Sequence, residues 1–417
     1  MNRIRVRANG PLEGRVEVAG ATKNSGVKQM AAALLAPGVT TLHNMPPVLD
    51  LDVMSDLLRA VGARVDQPAP NVVRIDASGT LQPEAPYELV TRMRASFNVL
   101  GPLLARCGEA RVALPGGDNI GSRKVDMHLR GLESMGAQVD VEHGFVHARC
   151  DALHGARVLL EFPSVGATEN LMCAAVLAKG STVIENAARE PEVADLAAFL
   201  DRMGAQVMGA GTATIAIEGV EKLVPAESEI MADRVEAGTL LMACGIAGGE
   251  IELVGTRIEH LEIVVSKLCE MGMRVSQTSD GLWARADRRL HAIDVATLPH
   301  PGFATDFMPI AVALLAVAEG SAIVTENIYD GRFQFVDELV RMGADVRNEG
   351  RHAIVRGVDR LSGAPVTASD VRAGAALVLA GLVAEGETIV HGCEHVDRGY
   401  SDLPATLRSL GADVERI

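Results

Sequence analysis

Two kinds of predicted helix alternate along the chain. In the first kind, apolar residues recur at intervals of three and four positions, as at Val193, Leu196 and Leu200, which is the spacing of one face of an amphipathic helix. A glycine follows each such stretch where a left-handed helix cap is expected, and in most cases a valine then opens a predicted strand. The pattern therefore predicts a helix with one buried face, followed directly by a strand.

The glycine that ends the amphipathic helix belongs to a short sequence motif that occurs six times. Its copies lie about 70 residues apart, and such regularity is typical of a repeated structural unit. The six glycines are Gly62, Gly136, Gly204, Gly272, Gly343 and Gly411. Chance recurrence of a common helix ending does not explain six nearly regular copies, so we predict six copies of one α/β unit.

A second kind of helix lies between these motifs. It is rich in Ala, Leu and Met and is apolar on nearly all sides, so we expect it to be buried, with the amphipathic helices and the strands packed around it. The segments are residues 30–35, 171–177, 240–247, 310–317 and 375–383. Each repeat is thus predicted to contain two helices and several short strands, in a βαβαββ-like order.

The length of the chain groups these repeats into domains. A single core rarely serves 417 residues, and three repeats per domain agree with the usual limit on the size of one core. A cleft between two such domains is the expected site for a ligand.

Charge and composition exclude several classes of function. The net charge of −15 and the aromatic content of 3% argue against nucleic acid, which needs basic surfaces and stacking platforms. Anionic substrates would therefore be bound by a few local cations. The N-terminus lacks the apolar segment of a secretory signal, and no run of apolar residues is long enough to span a membrane, so we expect the cytoplasm.

The six cysteines do not indicate a metal or redox site, because no two of them form a Cys-x-x-Cys pair. Several lie within apolar helical runs, so we predict buried structural thiols. They are Cys107, Cys150, Cys173, Cys244, Cys269 and Cys393.

Unusual residues lie where the buried helices begin. The N-terminus of a helix presents unpaired N–H groups and a partial positive charge, which together bind anions. Helix capping is the simpler explanation for Ser, Thr and Asp at these places, but it does not explain Lys or Arg, which the helix dipole disfavours. The positions include Lys23, Asn24, Arg94, Ser164, Val165, Gly166, Asp233, Arg234, Thr305, Asp306, Asp370 and Arg372.

Two loops add further charged residues. Residues 114–123 are rich in glycine and contain Asp118 and Arg123, and residues 395–400 contain Arg398. Either loop alone is a weak signal, since exposed turns have the same composition. His128 is a candidate ligand contact, although a single helical histidine is more often structural.

At these residues the chain resembles the enolpyruvyl transferase superfamily, and within it the members that act on UDP-N-acetylglucosamine in peptidoglycan synthesis. The resemblance extends over nearly the whole chain. It implies two inside-out α/β domains of three repeats each, one formed by residues 1–22 and 232–417 and the other by residues 23–231. It also implies that no metal or organic cofactor is needed.

The resemblance further implies the reaction and its residues. The enolpyruvyl group of phosphoenolpyruvate would be added to the 3′-hydroxyl of a UDP-sugar, and phosphate would then be eliminated. Asp306 would accept the hydroxyl proton, Asp118 would deliver a proton, and Lys23 would complete the catalytic set. Lys23, Arg123 and Arg398 would hold the phosphate and carboxylate groups, with Arg94 and Arg372 in support. The remaining implied substrate-binding positions are Asn24 for the sugar, Ser164, Val165 and Gly166 for the diphosphate, and His128, Thr305, Ile328, Phe333 and Asp370.

Three departures from the family pattern leave alternatives open. Asp118 stands where cysteine is common, and a carboxylic acid there could deliver a proton if burial raised its pKa, which nearby cations would oppose. Because fosfomycin alkylates that cysteine, we predict resistance to it. Residues 20–24 hold one residue more than the usual motif, and Lys124 replaces a common proline. The alternatives are a transferase for another uridine nucleotide or a sugar phosphate, and a non-catalytic sugar-nucleotide sensor.

Overall fold

The computed structural model describes residues 3–18 and 22–417. By their contacts these residues divide into two compact units. The terminal unit consists of residues 3–18, Asp118–Arg123 and Ala232–Ile417, and the internal unit consists of residues 22–117 and Lys124–Met231. The sequence-based boundaries differ in two respects, because they include Asp118–Arg123 in the same domain as its neighbours along the chain and place Thr22 with residues 232–417.

The chain forms 14 helices and 26 strands in the described residues. The helices are α1 (Lys23–Ala32), α2 (Leu49–Ala60), α3 (Tyr87–Val90), α4 (Leu100–Cys107), α5 (Asp126–Ser134), α6 (Val165–Ala175), α7 (Pro191–Arg202), α8 (Arg234–Ala247), α9 (Glu262–Glu270), α10 (Met308–Leu315), α11 (Val336–Arg341), α12 (Val371–Gly381), α13 (Cys393–Val396) and α14 (Leu403–Ser409), with 3-10 turns at Ala33–Leu35, Arg94–Val99, Ile258–His260 and Thr305–Phe307. The strands are β1 (Arg3–Arg7), β2 (Leu12–Glu17), β3 (Val39–His43), β4 (Arg64–Ala69), β5 (Val72–Asp76), β6 (Glu84–Ala85), β7 (Glu109–Ala113), β8 (Gln138–Glu142), β9 (Phe145–Arg149), β10 (Arg157–Leu159), β11 (Ser181–Glu185), β12 (Gln206–Met208), β13 (Thr214–Glu218), β14 (Glu227–Glu229), β15 (Gly249–Val254), β16 (Arg274–Gln277), β17 (Gly281–Ala286), β18 (Val295–Ala296), β19 (Ser321–Thr325), β20 (Asp345–Glu349), β21 (His352–Arg356), β22 (Leu361–Ser362), β23 (Pro365–Thr367), β24 (Ala384–Glu385), β25 (Glu387–His391) and β26 (Asp413–Arg416).

Six four-stranded sheets follow one plan. In each sheet the first strand lies parallel to the second, and the last two strands add in antiparallel fashion, as in β6-β7-β9-β8. The other orders are β14-β3-β5-β4, β10-β11-β13-β12, β2-β15-β17-β16, β18-β19-β21-β20 and β23-β25-β1-β26. Each of these sheets is accompanied by one apolar and one amphipathic helix, so the predicted six βαβαββ-like repeats are confirmed.

Strands distant along the chain complete one sheet in the internal unit and two in the terminal unit. In the internal unit, β14 pairs with β3, so that Ser228 lies opposite Leu42. In the terminal unit, β1 lies between β25 and β26, where Val6 is opposite both Thr388 and Val414. The strand β2 then opens the next sheet beside β15. The amino-terminal strands thus belong to two different repeats of one unit.

The apolar helices are buried, as their composition predicts. Every residue of α10 and of α12 is buried, whereas most strands bury alternate residues, as Thr388 and Val390 show in β25. The apolar helices therefore form the inside of each unit, and the amphipathic helices and the sheets pack around them, which confirms the predicted inside-out arrangement.

The six repeat glycines adopt the left-handed conformation that the sequence predicts. Their φ angles are +97° at Gly62, +92° at Gly136, +100° at Gly204, +105° at Gly272, +89° at Gly343 and +93° at Gly411. An L side chain is strained at such angles, and glycine is not. Each glycine thus lets the chain leave a helix and enter the following strand.

The cysteine prediction is only partly correct. Cys173, Cys244 and Cys393 are buried, but Cys107 and Cys269 are exposed. Both exposed thiols lie in the last turn of a helix, at the ends of α4 and α9, where the side chain turns away from the core. Among the described helices, none is long and apolar enough to cross a membrane.

Candidate active site

Two buried arginines of the terminal unit meet at one carboxylate. Asp306 lies in the 3-10 turn that leads into α10, and about a third of its side chain (32%) is exposed. Arg332 Nη2 lies 3.0 Å from Asp306 Oδ1, and Arg372 Nε lies 3.6 Å from the same oxygen. Both arginines are 4% exposed. The carboxylate therefore faces solvent on one side and buried positive charge on the other.

This environment determines the charge of Asp306. Burial by itself disfavours the ionised carboxylate, but the charges of Arg372, Arg332 and Arg234 outweigh it and hold the pKa of Asp306 well below its usual range. Opposite charges at such distances favour the ionised form. At neutral pH Asp306 can therefore accept a hydrogen bond or a proton, although its arginine partners make it a weak base.

A buried glutamate fixes the residues beside Asp306. Glu326 is fully buried, and its carboxylate accepts hydrogen bonds from Thr297 Oγ1 at 2.9 Å, Thr305 Oγ1 at 2.8 Å and Ile328 N at 2.7 Å. Thr305 and Ile328 are both predicted substrate-binding positions. Sequence reasoning missed Glu326, although an acid directly after the apolar strand β19 is a signal that could have identified it.

Sequence reasoning also missed Arg332. Its only sequence signal is an arginine between a glycine and a phenylalanine in the loop before α11. Phe333, the next residue, is a predicted substrate-binding position that the structure buries in the core of the terminal unit at 6% exposure.

At several of the helix N-termini that the sequence predicts to bind anions, the structure shows helix capping. Asp370 accepts hydrogen bonds from Arg372 N at 2.9 Å and from Ala373 N at 3.1 Å, and Ser164 accepts one from Ala167 N at 3.3 Å. These side chains satisfy N–H groups that would otherwise lack partners. Substrate binding by Asp370 and Ser164 stays a prediction.

The glycine-rich loop brings two predicted residues of the terminal unit together. Asp118 Oδ1 lies 2.5 Å from Arg398 Nη1, and both side chains are mostly buried, at 18% and 17% exposure. On the same loop, Arg123 lies over the ring of Tyr329, with Cζ 5.5 Å from the ring centroid. An anion bound by Arg398 would therefore compete directly with Asp118.

In the internal unit, Lys23 and Asn24 begin α1. Thr22 caps this helix, since its hydroxyl accepts a hydrogen bond from Asn24 N at 3.3 Å, and Lys23 Nζ lies 2.7 Å from Asp50 Oδ2. Of residues 20–24, the segment that holds one residue more than the usual motif, Gly20 and Ala21 lie outside the described residues, whereas Thr22 is described. Arg94 begins a 3-10 turn and donates a hydrogen bond to a backbone carbonyl at 3.0 Å.

His128 is buried beside the start of α6. Asn170 Nδ2 lies 2.9 Å from His128 Nδ1, and the imidazole packs edge-on against Phe97 at 5.1 Å. Burial, with the nearby charges of Arg94 and Lys28, lowers the pKa of His128 to about 3, so the ring is neutral. A Cβ built on Gly166 would lie 3.3 Å from His128 Cε1. Gly166 and His128, which are both predicted substrate-binding positions, are therefore neighbours.

Comparison with solved structures identifies the class of fold. The enolpyruvyl transferase NikO from Streptomyces tendae superposes with a TM-score of 0.88 at 25% identity, and covers 99% of this chain and 98% of its own. EPSP synthase from Acinetobacter baumannii superposes with a TM-score of 0.76 at 21% identity, and covers 100% of both chains. The fold is that of the enolpyruvyl transferases.

The family follows from the sequence comparisons. A family model described as EPSP synthase (3-phosphoshikimate 1-carboxyvinyltransferase) matches residues 6–407. Two relatives named UDP-N-acetylglucosamine 1-carboxyvinyltransferase are each 50% identical to the chain. The one from Corynebacterium jeikeium (strain K411) covers 97% of this chain and 97% of its own. The one from Mycobacterium tuberculosis (strain CDC 1551 / Oshkosh) covers 100% and 99%. The chain is an enzyme and belongs to the EPSP synthase family.

Proposed function

We propose that this enzyme transfers the enolpyruvyl group of phosphoenolpyruvate to the 3′-hydroxyl of UDP-N-acetylglucosamine and releases phosphate. The observation that carries the proposal is 50% identity over essentially the full length to relatives named for that acceptor, against 21% to an EPSP synthase. We place the reaction in the cytoplasm, as a step of peptidoglycan synthesis.

Asp306 would accept the proton of the sugar hydroxyl. Its ionised state at neutral pH supports this role, and the solvent-facing part of its side chain can be reached by a substrate. Arg372 would also bind the anionic donor, so donor binding would draw part of its charge away from Asp306. The carboxylate would then become a stronger base only after both substrates have bound.

Arg123 and Arg398 of the terminal unit would hold the phosphate and carboxylate groups of phosphoenolpyruvate. Asp118, paired with Arg398 in the free protein, would be displaced from the guanidinium by the donor. It could then carry the proton that C3 of the donor must gain. In the internal unit, Lys23 and Arg94 would assist with the donor and Asn24 would position the sugar.

Phosphate release from phosphoenolpyruvate tests the proposal. The purified protein should release phosphate with UDP-N-acetylglucosamine but not with shikimate 3-phosphate or with other uridine nucleotides. The variant Asp306→Asn, which keeps the size of the side chain and removes the base, should lose at least ~100-fold in kcat. Release with a different acceptor would instead identify that acceptor as the substrate. If no phosphate is released with any acceptor, the result would favour a non-catalytic sugar-nucleotide sensor.

A further inference from the structure

The turn Tyr329–Gly331 of the terminal unit lies directly against the loop that carries Asp118. Ser122 N donates a hydrogen bond to Asp330 Oδ1 at 3.0 Å, and Gly331 N donates one to Ile120 O at 3.2 Å. The loop and the turn therefore each contribute one donor and one acceptor. Ile120, whose carbonyl oxygen accepts the second bond, is buried at 5% exposure.

Two glycines permit this close approach. Gly121 has a φ of +117°, and a Cβ at this position would overlap Asp330 Oδ1 and the backbone of Gly331. A Cβ on Gly331 would lie 3.0 Å from Gly121 N. The loop and the turn thus meet backbone to backbone. A side chain at Gly121 would prevent this approach, and one at Gly331 would push the two segments slightly apart.

The same turn contacts Arg123 of the loop and Arg332, the partner of Asp306. The Tyr329 ring contacts two guanidinium groups, with Arg123 Cζ at 5.5 Å and Arg332 Cζ at 5.7 Å from its centroid. Such cation–π contacts are attractive. Arg332 in turn binds Asp306, and Glu326 accepts a hydrogen bond from Tyr329 N at 3.1 Å. The contacts with Arg332 and Glu326 therefore hold the turn in place, in addition to its contact with Ser122 and Ile120.

We propose that Asp330 is a positioning residue, which holds the glycine-rich loop so that Asp118 reaches Arg398. Asp330 acts through Ser122 N and touches no group of the proposed catalytic set. The effect on catalysis rests on the proposed function. The effect on the loop does not, and it is measured separately.

Trypsin digestion reports the loop position without any substrate. The bond after Arg123 lies in the loop, and the fragment that ends at Arg123 identifies its cleavage by mass. Losing one hydrogen bond in Asp330→Ala should raise the rate of this cleavage roughly tenfold. Asp330→Asn keeps an acceptor oxygen and should be cleaved at the wild-type rate, as should the control Asp345→Ala, an exposed change on β20.

Kinetics then test the consequence for the reaction. Asp330→Ala should lower kcat/KM for phosphoenolpyruvate roughly tenfold, and Asp330→Asn should restore it. Gly121→Ala should have a similar effect, and the double variant should be no worse than either single one, because both disrupt one contact.

The two proposals fail in different ways. If all variants are digested after Arg123 at the wild-type rate, Asp330 does not position the loop, whatever the activity. If Asp330→Ala is digested faster while the wild type releases no phosphate with any acceptor, the positioning role stands and the proposed function is wrong.

Discussion

At the scale of single residues, the charge of Asp306 depends on residues far away in the sequence. Arg332 and Arg372 reach it from two other segments of the terminal unit. Because its pKa is lower in the folded chain than in the unfolded chain, ionised Asp306 stabilises the folded state at neutral pH. That contribution is lost as the pH falls below the ordinary aspartate range towards the folded pKa.

Removal of Arg332 should shift the pH dependence of activity. In Arg332→Gln one of the charges that lower the pKa of Asp306 is lost, so the pKa should rise and the acidic limb of kcat/KM should move to higher pH. Arg332→Lys keeps the positive charge and should leave the limb near its wild-type position. A pH profile measured from acidic to neutral pH distinguishes the two. An unmoved limb in Arg332→Gln would show that Asp306 is not the group that titrates.

Asp118 should decide the response to fosfomycin. An epoxide is opened readily by a thiolate and far less readily by a carboxylate that is paired with Arg398. We therefore expect the wild-type enzyme to keep its activity after incubation with fosfomycin, and Asp118→Cys to lose it with time. Asp118→Ser, which has no thiol but also lacks the proposed proton donor, is the matched control, and its mass should show no fosfomycin adduct. Inactivation of the wild type as fast as Asp118→Cys would contradict the prediction.

At the scale of elements, each repeat depends on one glycine between its amphipathic helix and the next strand. Gly204 ends the turn after α7 at a φ of +100°, and a Cβ there would meet no atom within 4 Å. Any effect of a larger residue at this position therefore comes from the backbone angle and not from packing.

Gly204→Ala should lower the free energy of unfolding by about 1–2 kcal/mol, the cost of a left-handed L residue. Gly204→Asn should cost less, since asparagine tolerates this region better. Gly79→Ala, at a glycine of the same unit without a positive φ, is the matched control and should cost little. Denaturant unfolding measures all three, and equal losses for Gly204→Ala and Gly79→Ala would refute the backbone explanation.

At the scale of the whole molecule, the terminal unit is assembled from both ends of the chain. The strand β1 pairs with β25 and β26, and its inward residues Ile4 and Val6 are fully buried in the terminal core. That core and the core of the internal unit consist of separate sets of residues.

Ile4→Ala should therefore destabilise the terminal unit by about 3 kcal/mol, through lost burial and a cavity. Hydrogen exchange should speed up in the helices α8, α10 and α12 and stay unchanged in α1 and α6. Arg3→Ala, an exposed change on the same strand, should alter neither set. Faster exchange in α1 and α6 would show that the two cores do not open independently.

The sequence predicts the repeats well because their signals are local. A glycine cap, an apolar helix and a β-branched strand each depend on residues within one or two turns of each other. The same reasoning correctly placed α10 in the interior, since a helix that is apolar on all sides can only be stable there. It failed for Cys107 and Cys269, because a thiol in a helix says little about which face it occupies.

By itself, the sequence determined the class of fold, the number of repeats, the buried helices and the charged positions that resemble an enolpyruvyl transferase. Only the tertiary structure decided which of these positions come together: Arg332 with Asp306, Glu326 with Thr305, Asp118 with Arg398, and Asp330 with the glycine-rich loop. The physical reason is range. Helix and strand signals act between near neighbours, whereas these contacts join segments separated by tens to hundreds of residues, whose distance is determined only when the repeats pack.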